Sequence, residues 1–298
     1  MRIAFWSEQE GAGTSFNLAV TACAAVCLHP LSVAVVSGGY HDGKLEQKFF
    51  GRNQNNILEY RQEAMLVAEH SREAAMASKH GQASMMASDD MQNYFVTGGL
   101  DCLLRKERPE ELTEAVVKAN MRQVVKDRMY CLPTSARQEY EWWHQDCQFR
   151  RMNRVMAAVE SYFDVVFIDC GSRQDDYARK AFREADVCVL NMNQEAEVIG
   201  RFYRNPPDYK GKVFFLLGKY FEDALYNRQD LQRIYRIEEE RLGAIPYNAQ
   251  LHAAEQTGRI GNSVQRYMGR NGEGQGMGFE KELVRTTNLI LKLAGLVA

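Results

Sequence analysis

Arg2-Ile3-Ala4-Phe5-Trp6-Ser7-Glu8-Gln9-Glu10-Gly11-Ala12-Gly13-Thr14-Ser15 opens the chain and decides its fold. A short apolar run, Arg2 to Trp6, is followed by a polar loop with two glycines and then by Thr-Ser ahead of the helical pattern Phe16 to Cys27. Strand, glycine-bearing loop, hydroxyl pair and helix follow in the order of a phosphate cradle. Gly11 and Gly13 let the backbone approach an anion closely, and a helix starting near Thr14 aims unpaired N–H groups and its positive dipole end at it. The same order also serves as an ordinary strand-to-helix turn, because Thr and Ser satisfy the first N–H groups of any helix.

Further along, Ser32 to Val36, Met129 to Leu132, Val165 to Ile168, Val187 to Leu190 and Val213 to Leu217 are short apolar runs that read as buried parallel strands. Between them, Pro109 to Lys126, Phe149 to Tyr162, Asp176 to Glu184 and Arg228 to Arg241 carry apolar residues three and four apart and read as helices. The alternation predicts one α/β domain over 1–298, a doubly wound, mainly parallel sheet with helices on both faces. Ligands of such sheets bind outside the carboxyl ends of the strands. Residues 50–97, rich in Gln, Asn, Ser, Met and His, read as an insertion, and 269–278 (GRNGEGQGMG) as a flexible surface loop before a last helix, Phe279 to Leu296.

Composition bounds the function. Of 298 residues, 45% are hydrophobic and 26% charged, with a formal net charge of -2, so no global field recruits nucleic acid. The chain start lacks a secretory pattern and no apolar run reaches the roughly 20 residues of a membrane span, which predicts a cytoplasmic protein. Seven scattered cysteines without a CxxC pair indicate neither a disulfide framework nor a zinc knuckle, and the histidines have no metal-site spacing.

The chain resembles the MinD/ParA group of P-loop ATPases over nearly its whole length, and within it the pilus-localising TadZ/CpaE branch. The group's loop, K-G-G-x-G-K-[ST], corresponds to Gln9, Glu10, Gly11, Ala12, Gly13, Thr14 and Ser15. Gln9 stands where the resemblance places the lysine that crosses a dimer interface, and Thr14 where it places the lysine on the β/γ-phosphates; Ser15 keeps the magnesium-binding hydroxyl. The resemblance further implies Asp169, in Asp169-Cys170-Gly171, as a magnesium ligand through water. Met129 to Ser135 is similar to a strand ending in L-P-A/G-S, and Ala185 to Asn191 to an A-D strand leading to Asn193-Gln194-Glu195. Leu216-Leu217-Gly218-Lys219-Tyr220 is similar to L-V-N-R-Y, with Gly218 at the place of an adenine-reading Asn. Gly243-Ala244-Ile245-Pro246-Tyr247-Asn248, with Ala253, Ala254 and Gly258, is similar to the segment that closes over adenine. Ser37 to Asp42 lacks the group's Asp-rich pattern, unless Asp42 reaches in from a shifted register.

The implied ligand is ATP or ADP with Mg²⁺, or none. The implied nucleotide-contacting residues are Gln9 to Ser15, Asp169, Gly171, Lys219, Pro246 and Tyr247, with Ser15 and Asp169 on the metal. Cleaving a triphosphate requires positive groups on the charge that develops, so loss of both lysines predicts weak or no hydrolysis. Three readings follow: a homodimeric scaffold that places secretion or pilus-assembly proteins, a working ATPase using Lys44, Lys48, Arg52 or Arg173 instead, or a regulator binding another anion at the loop. Membrane contact is expected only through partners. The cluster Tyr140, Trp142, Trp143 and His144 reads as a partner patch or as local packing, the basic run from Arg228 to Arg241 as a solvated helix face, and the last helix as packed on the sheet.

Overall fold

The computed structural model describes residues 1–38, 44–51, 99–106, 108–134, 146–172, 176–205, 207–269 and 277–297. Apart from Phe50, which ends a helix, and Gly51, the insertion expected at 50–97 lies outside the described residues, as do the aromatic cluster at 140–144 and most of the glycine-rich loop at 269–278.

Among the described residues, eight strands form one sheet: β1 (Arg2–Trp6), β2 (Val33–Ser37), β3 (Arg122–Val125), β4 (Met129–Cys131), β5 (Val165–Asp169), β6 (Val187–Met192), β7 (Val213–Tyr220) and β8 (Leu242–Pro246). Their order is β3-β4-β2-β5-β1-β6-β7-β8. Every pairing is parallel except β3 with β4. β1 runs between β5 and β6, so the loop that follows it leaves the middle of the sheet.

Alternation along the strands divides the core in two. Ala4, Ala34, Ile168 and Leu190 pack one face, while Ile3, Phe5, Val35, Phe167 and Val189 pack the other. Helix α1 (Thr14–Leu28), α2 (Lys44–Phe50), α9 (Ala249–Gln256), α10 (Ile260–Met268) and α11 (Met277–Leu293) contribute to the second face. On the first lie α3 (Leu100–Leu104), α4 (Glu114–Ala119), α5 (Asp146–Tyr162), α6 (Asp176–Glu184), α7 (Ala196–Arg204) and α8 (Arg228–Tyr235).

The helix expected over Pro109 to Lys126 is replaced by a 3₁₀ turn (Pro109–Glu111), α4 and strand β3. Thr113 caps α4 by accepting the Val116 N–H at 3.4 Å, and Asn120 ends it. The four-residue β3 is too short to show a period of its own; pairing with β4 across a turn that holds Asp127 at φ 58° defines it. Likewise the helix expected over Arg228 to Arg241 stops at Tyr235, where Arg236 takes the left-handed conformation, and Glu239–Arg241 is a 3₁₀ turn. The last helix begins at Met277 and ends at Leu293.

That helix packs on the sheet. Leu283, Ile290 and Leu291 are buried, and the Thr286 hydroxyl donates to the Ala244 carbonyl at 2.9 Å while accepting the Ala244 N–H at 3.0 Å. It thereby shields the outer edge of β8, whose backbone groups otherwise lack a strand partner. Among the described residues, no helix is long and apolar enough to cross a membrane.

Candidate functional site

The loop after β1 is fastened from below. Ser7 is buried; its N–H donates to the Gly171 carbonyl at 2.9 Å, and its hydroxyl accepts the Gln9 N–H at 3.0 Å. Gly11 and Gly13 adopt φ 76° and 79°, values that strain any residue with a Cβ, and Gly13 forms the N-cap of α1 without a side-chain cap. The first N–H groups of α1 therefore receive no capping side chain from that position.

Beneath the loop, two buried amides complete its support. Asn17 Nδ2 donates to Asn191 Oδ1 at 2.5 Å, and Asn191 Nδ2 donates to the Ala12 carbonyl at 2.6 Å. A Cβ on Gly218 would lie 2.5 Å from Asn17 Nδ2 and 2.7 Å from the Ala12 oxygen, so the end of β7 closes on the same floor only as glycine. On the outer side, Gln9 Nε2 donates to Glu195 Oε2 at 2.8 Å, and Arg201 pairs with Glu8 at 2.7 Å.

Over this loop opens a cleft of about 420 Å³, within the range of small-molecule sites. Of the residues expected at a nucleotide, Gln9, Glu10, Gly11, Gly13, Thr14, Ser15, Gly171, Lys219, Pro246 and Tyr247 line it. Ala12 and Asp169 do not. Ala12 is buried under the loop, and Asp169, 2% exposed, accepts the Gly171 N–H at 3.0 Å and so shapes the turn after β5. Lys48, proposed from sequence as a substitute cation, lines the cleft, but its ammonium pairs with Glu255. The side chains of Lys44, Arg52 and Arg173, together with Asp42, lie outside the described residues.

Sequence reasoning did not select Asn17, Asn191, Asn248, His252 or Glu255 for this site. The signal for the first two was present: Asn17 interrupts the apolar face of α1, and Asn191 sits in an otherwise apolar β6. On the cleft wall His252 Nδ1 lies 3.0 Å from Glu255 Oε2, the carboxylate that also holds Lys48. At the rim, Tyr247 and Phe221 stack at 5.7 Å and 23°, with about half of each ring surface exposed.

In the first turn of α2, apart from the cleft lining, Glu46 accepts a hydrogen bond from the Thr134 hydroxyl at 3.2 Å. Burial pushes its carboxyl up to about 7, against the opposing pull of that hydrogen bond and of Arg122. Among the described residues no cluster of three or more His, Cys, Asp or Glu side chains is arranged to hold a metal ion.

Comparison with known proteins agrees with this architecture. The family model "ATPase MipZ" matches residues 110–199, a segment that contains Asp169 and Gly171 but not the glycine loop. No curated protein matches. Among solved structures, a ParA family ATPase from Chlorobium tepidum TLS superposes with a TM-score of 0.61 at 11% identity, covering 96% of this chain and 98% of that one. MinD in the MinC:MinD cell division complex of Aquifex aeolicus gives 0.56 at 12%, with 98% and 96% covered. The septum site-determining protein MinD complexed with Mg-ADP from Pyrococcus horikoshii OT3 gives 0.54 at 15%, with 100% and 99% covered. At such identities the likeness defines the fold: an eight-stranded, mostly parallel sheet of the ParA/MinD P-loop type.

Proposed function

We propose that this chain is a nucleotide-binding protein of the ParA/MinD kind that holds ATP or ADP weakly and hydrolyses ATP slowly or not at all. The observation that carries the reading is the composition of the cradle. Gly11, Gly13 and the start of α1 offer backbone N–H groups to an anion, while the loop from Gln9 to Ser15 brings one carboxylate, Glu10, and no cation. Charge-assisted contacts contribute about 1.5–3 kcal/mol each, and groups that neutralise charge in phosphoryl transfer are worth on the order of a thousandfold in rate.

In this reading the phosphates sit over Gly11 to Ser15 and the base near Pro246 and Tyr247, whose ring is half-exposed at the rim. The oxygen donors fit a magnesium ion that arrives with the nucleotide: Ser15 offers a hydroxyl on the cleft and Asp169 a carboxylate behind it, suited to a hydrated ion. The relative bound to Mg-ADP supports the ligand class, and the MinC:MinD complex supports a protein that works by docking others. We further propose that the chain is one domain, forms a homodimer across its loop face and places a secretion or pilus-assembly machine in the cytoplasm, as the resemblance to the TadZ/CpaE branch implies.

A second reading, turnover assisted by a substitute base-bearing side chain, draws on Lys48 at the cleft wall. Light scattering after size exclusion, with and without ATP and Mg²⁺, tests the scaffold together with a phosphate-release assay. A nucleotide-dependent dimer with phosphate release at the buffer rate is expected; a monomer under both conditions removes the scaffold, and a turnover abolished by Lys48→Gln establishes the second reading.

A further inference from the structure

We infer that Lys219, delivered from β7, is the cation that meets the polyphosphate of a nucleotide in this cleft; the inference rests on the phosphate-cradle reading above. Lys219 Nζ donates to the Gly11 carbonyl at 3.1 Å, so an ammonium stands at the glycine loop although none is encoded within it. Three features of the backbone bring it there. Gly218, lacking a Cβ, lets β7 close on Asn17 and Ala12. The pairing of β7 with β8 slips register between Leu217 and Tyr220, the kind of irregularity that redirects a side chain at the end of a strand. Lys219 itself adopts φ 50°, a left-handed conformation that costs free energy for a residue with a Cβ.

Such strain, in a lysine exposed on a cleft, points to a use for its side chain beyond packing. Within the described lining, the other lysine, Lys48, is held by Glu255. Lys219 makes no ion pair among the described residues, and its flexible stem lets the ammonium exchange one loop carbonyl for phosphate oxygens entering beside it. The cation is thus supplied by the strand on the far side of the loop, and it approaches the phosphates rather than the base.

The test is calorimetric titration of ADP, inorganic pyrophosphate and adenosine, each with Mg²⁺, into the full chain and its Lys219→Gln and Lys219→Gly variants. Glycine relieves the positive φ, so that variant loses the charge without added backbone strain. Lys180→Gln, on a helix of the opposite face, controls for net charge. The inference expects both Lys219 variants to bind ADP and pyrophosphate at least fivefold more weakly, with a flatter salt dependence, and adenosine unchanged. Weakening of less than fivefold in the variants, or an equal loss for adenosine, overturns the inference while leaving the cleft reading in place. A wild-type chain that takes up neither ADP nor pyrophosphate removes the cleft reading and this inference together.

Discussion

Asn17 and Asn191, one from α1 and one from β6, join their amides at 2.5 Å beneath the glycine loop, and Asn191 passes the contact on to the Ala12 carbonyl at 2.6 Å. Both are buried. A polar pair in that position has no access to water, so each group depends on the other, and the loop depends on both.

Asn191→Ala is therefore expected to destabilise the fold by about 1–3 kcal/mol, because it strands the Asn17 amide and the Ala12 carbonyl in the core. Urea denaturation followed by circular dichroism checks the stability, and ADP titration checks the loop. A variant as stable as wild type would show that the pair supports nothing.

Gly218→Ala adds a methyl where Asn17 Nδ2 and the Ala12 oxygen leave 2.5 and 2.7 Å. One neighbour is backbone, so the loop has to shift. Nucleotide affinity should fall about tenfold or more, with a loss of roughly 1–3 kcal/mol in stability. Equal affinity and melting temperature would contradict the close approach.

Glu46 makes stability depend on pH in a definite direction. Its folded-state pKa of about 7 lies above the 4.5 of an ordinary glutamate, so the folded chain holds a proton that the unfolded chain has released. Stability is accordingly undiminished by this group below about pH 4.5 and falls as pH rises from there through about 7. Glu46→Gln keeps an acceptor for Thr134 and removes the penalty. Because Glu46 retains some solvent access, the gain at pH 8 is expected to be about 2 kcal/mol, shrinking towards zero at pH 4.5. A gain independent of pH, or largest in acid, would contradict the assignment.

Glu10 places a carboxylate on the cleft that is to receive phosphates. Glu10→Gln should tighten ADP binding about two- to threefold at low ionic strength, and the gain should vanish near molar salt. Tighter binding that persists in high salt would argue for a packing effect instead of charge.

Much of the architecture was legible in the sequence. Six runs of apolar residues gave central strands because a strand buried on both faces has to be apolar throughout. The edge strand β3 was hidden for the opposite reason: with four residues of mixed polarity, it is defined by its partner β4. In the site, the glycine loop announced itself through Gly11, Gly13 and the hydroxyls that follow. What stayed hidden was tertiary. Lys219 falls in a motif aligned with base recognition, yet a register slip and a positive φ turn it to the loop carbonyl of Gly11. Asn17 and Asn191 are 174 positions apart, and only parallel packing of β1 beside β6 brings them together.

The most direct test is one incubation of the purified wild-type chain with ATP and Mg²⁺, in which bound nucleotide and released phosphate are measured on the same sample. Saturable nucleotide binding with phosphate released no faster than from buffer is the predicted result. Sustained, magnesium-dependent release of many phosphates per chain would contradict the account.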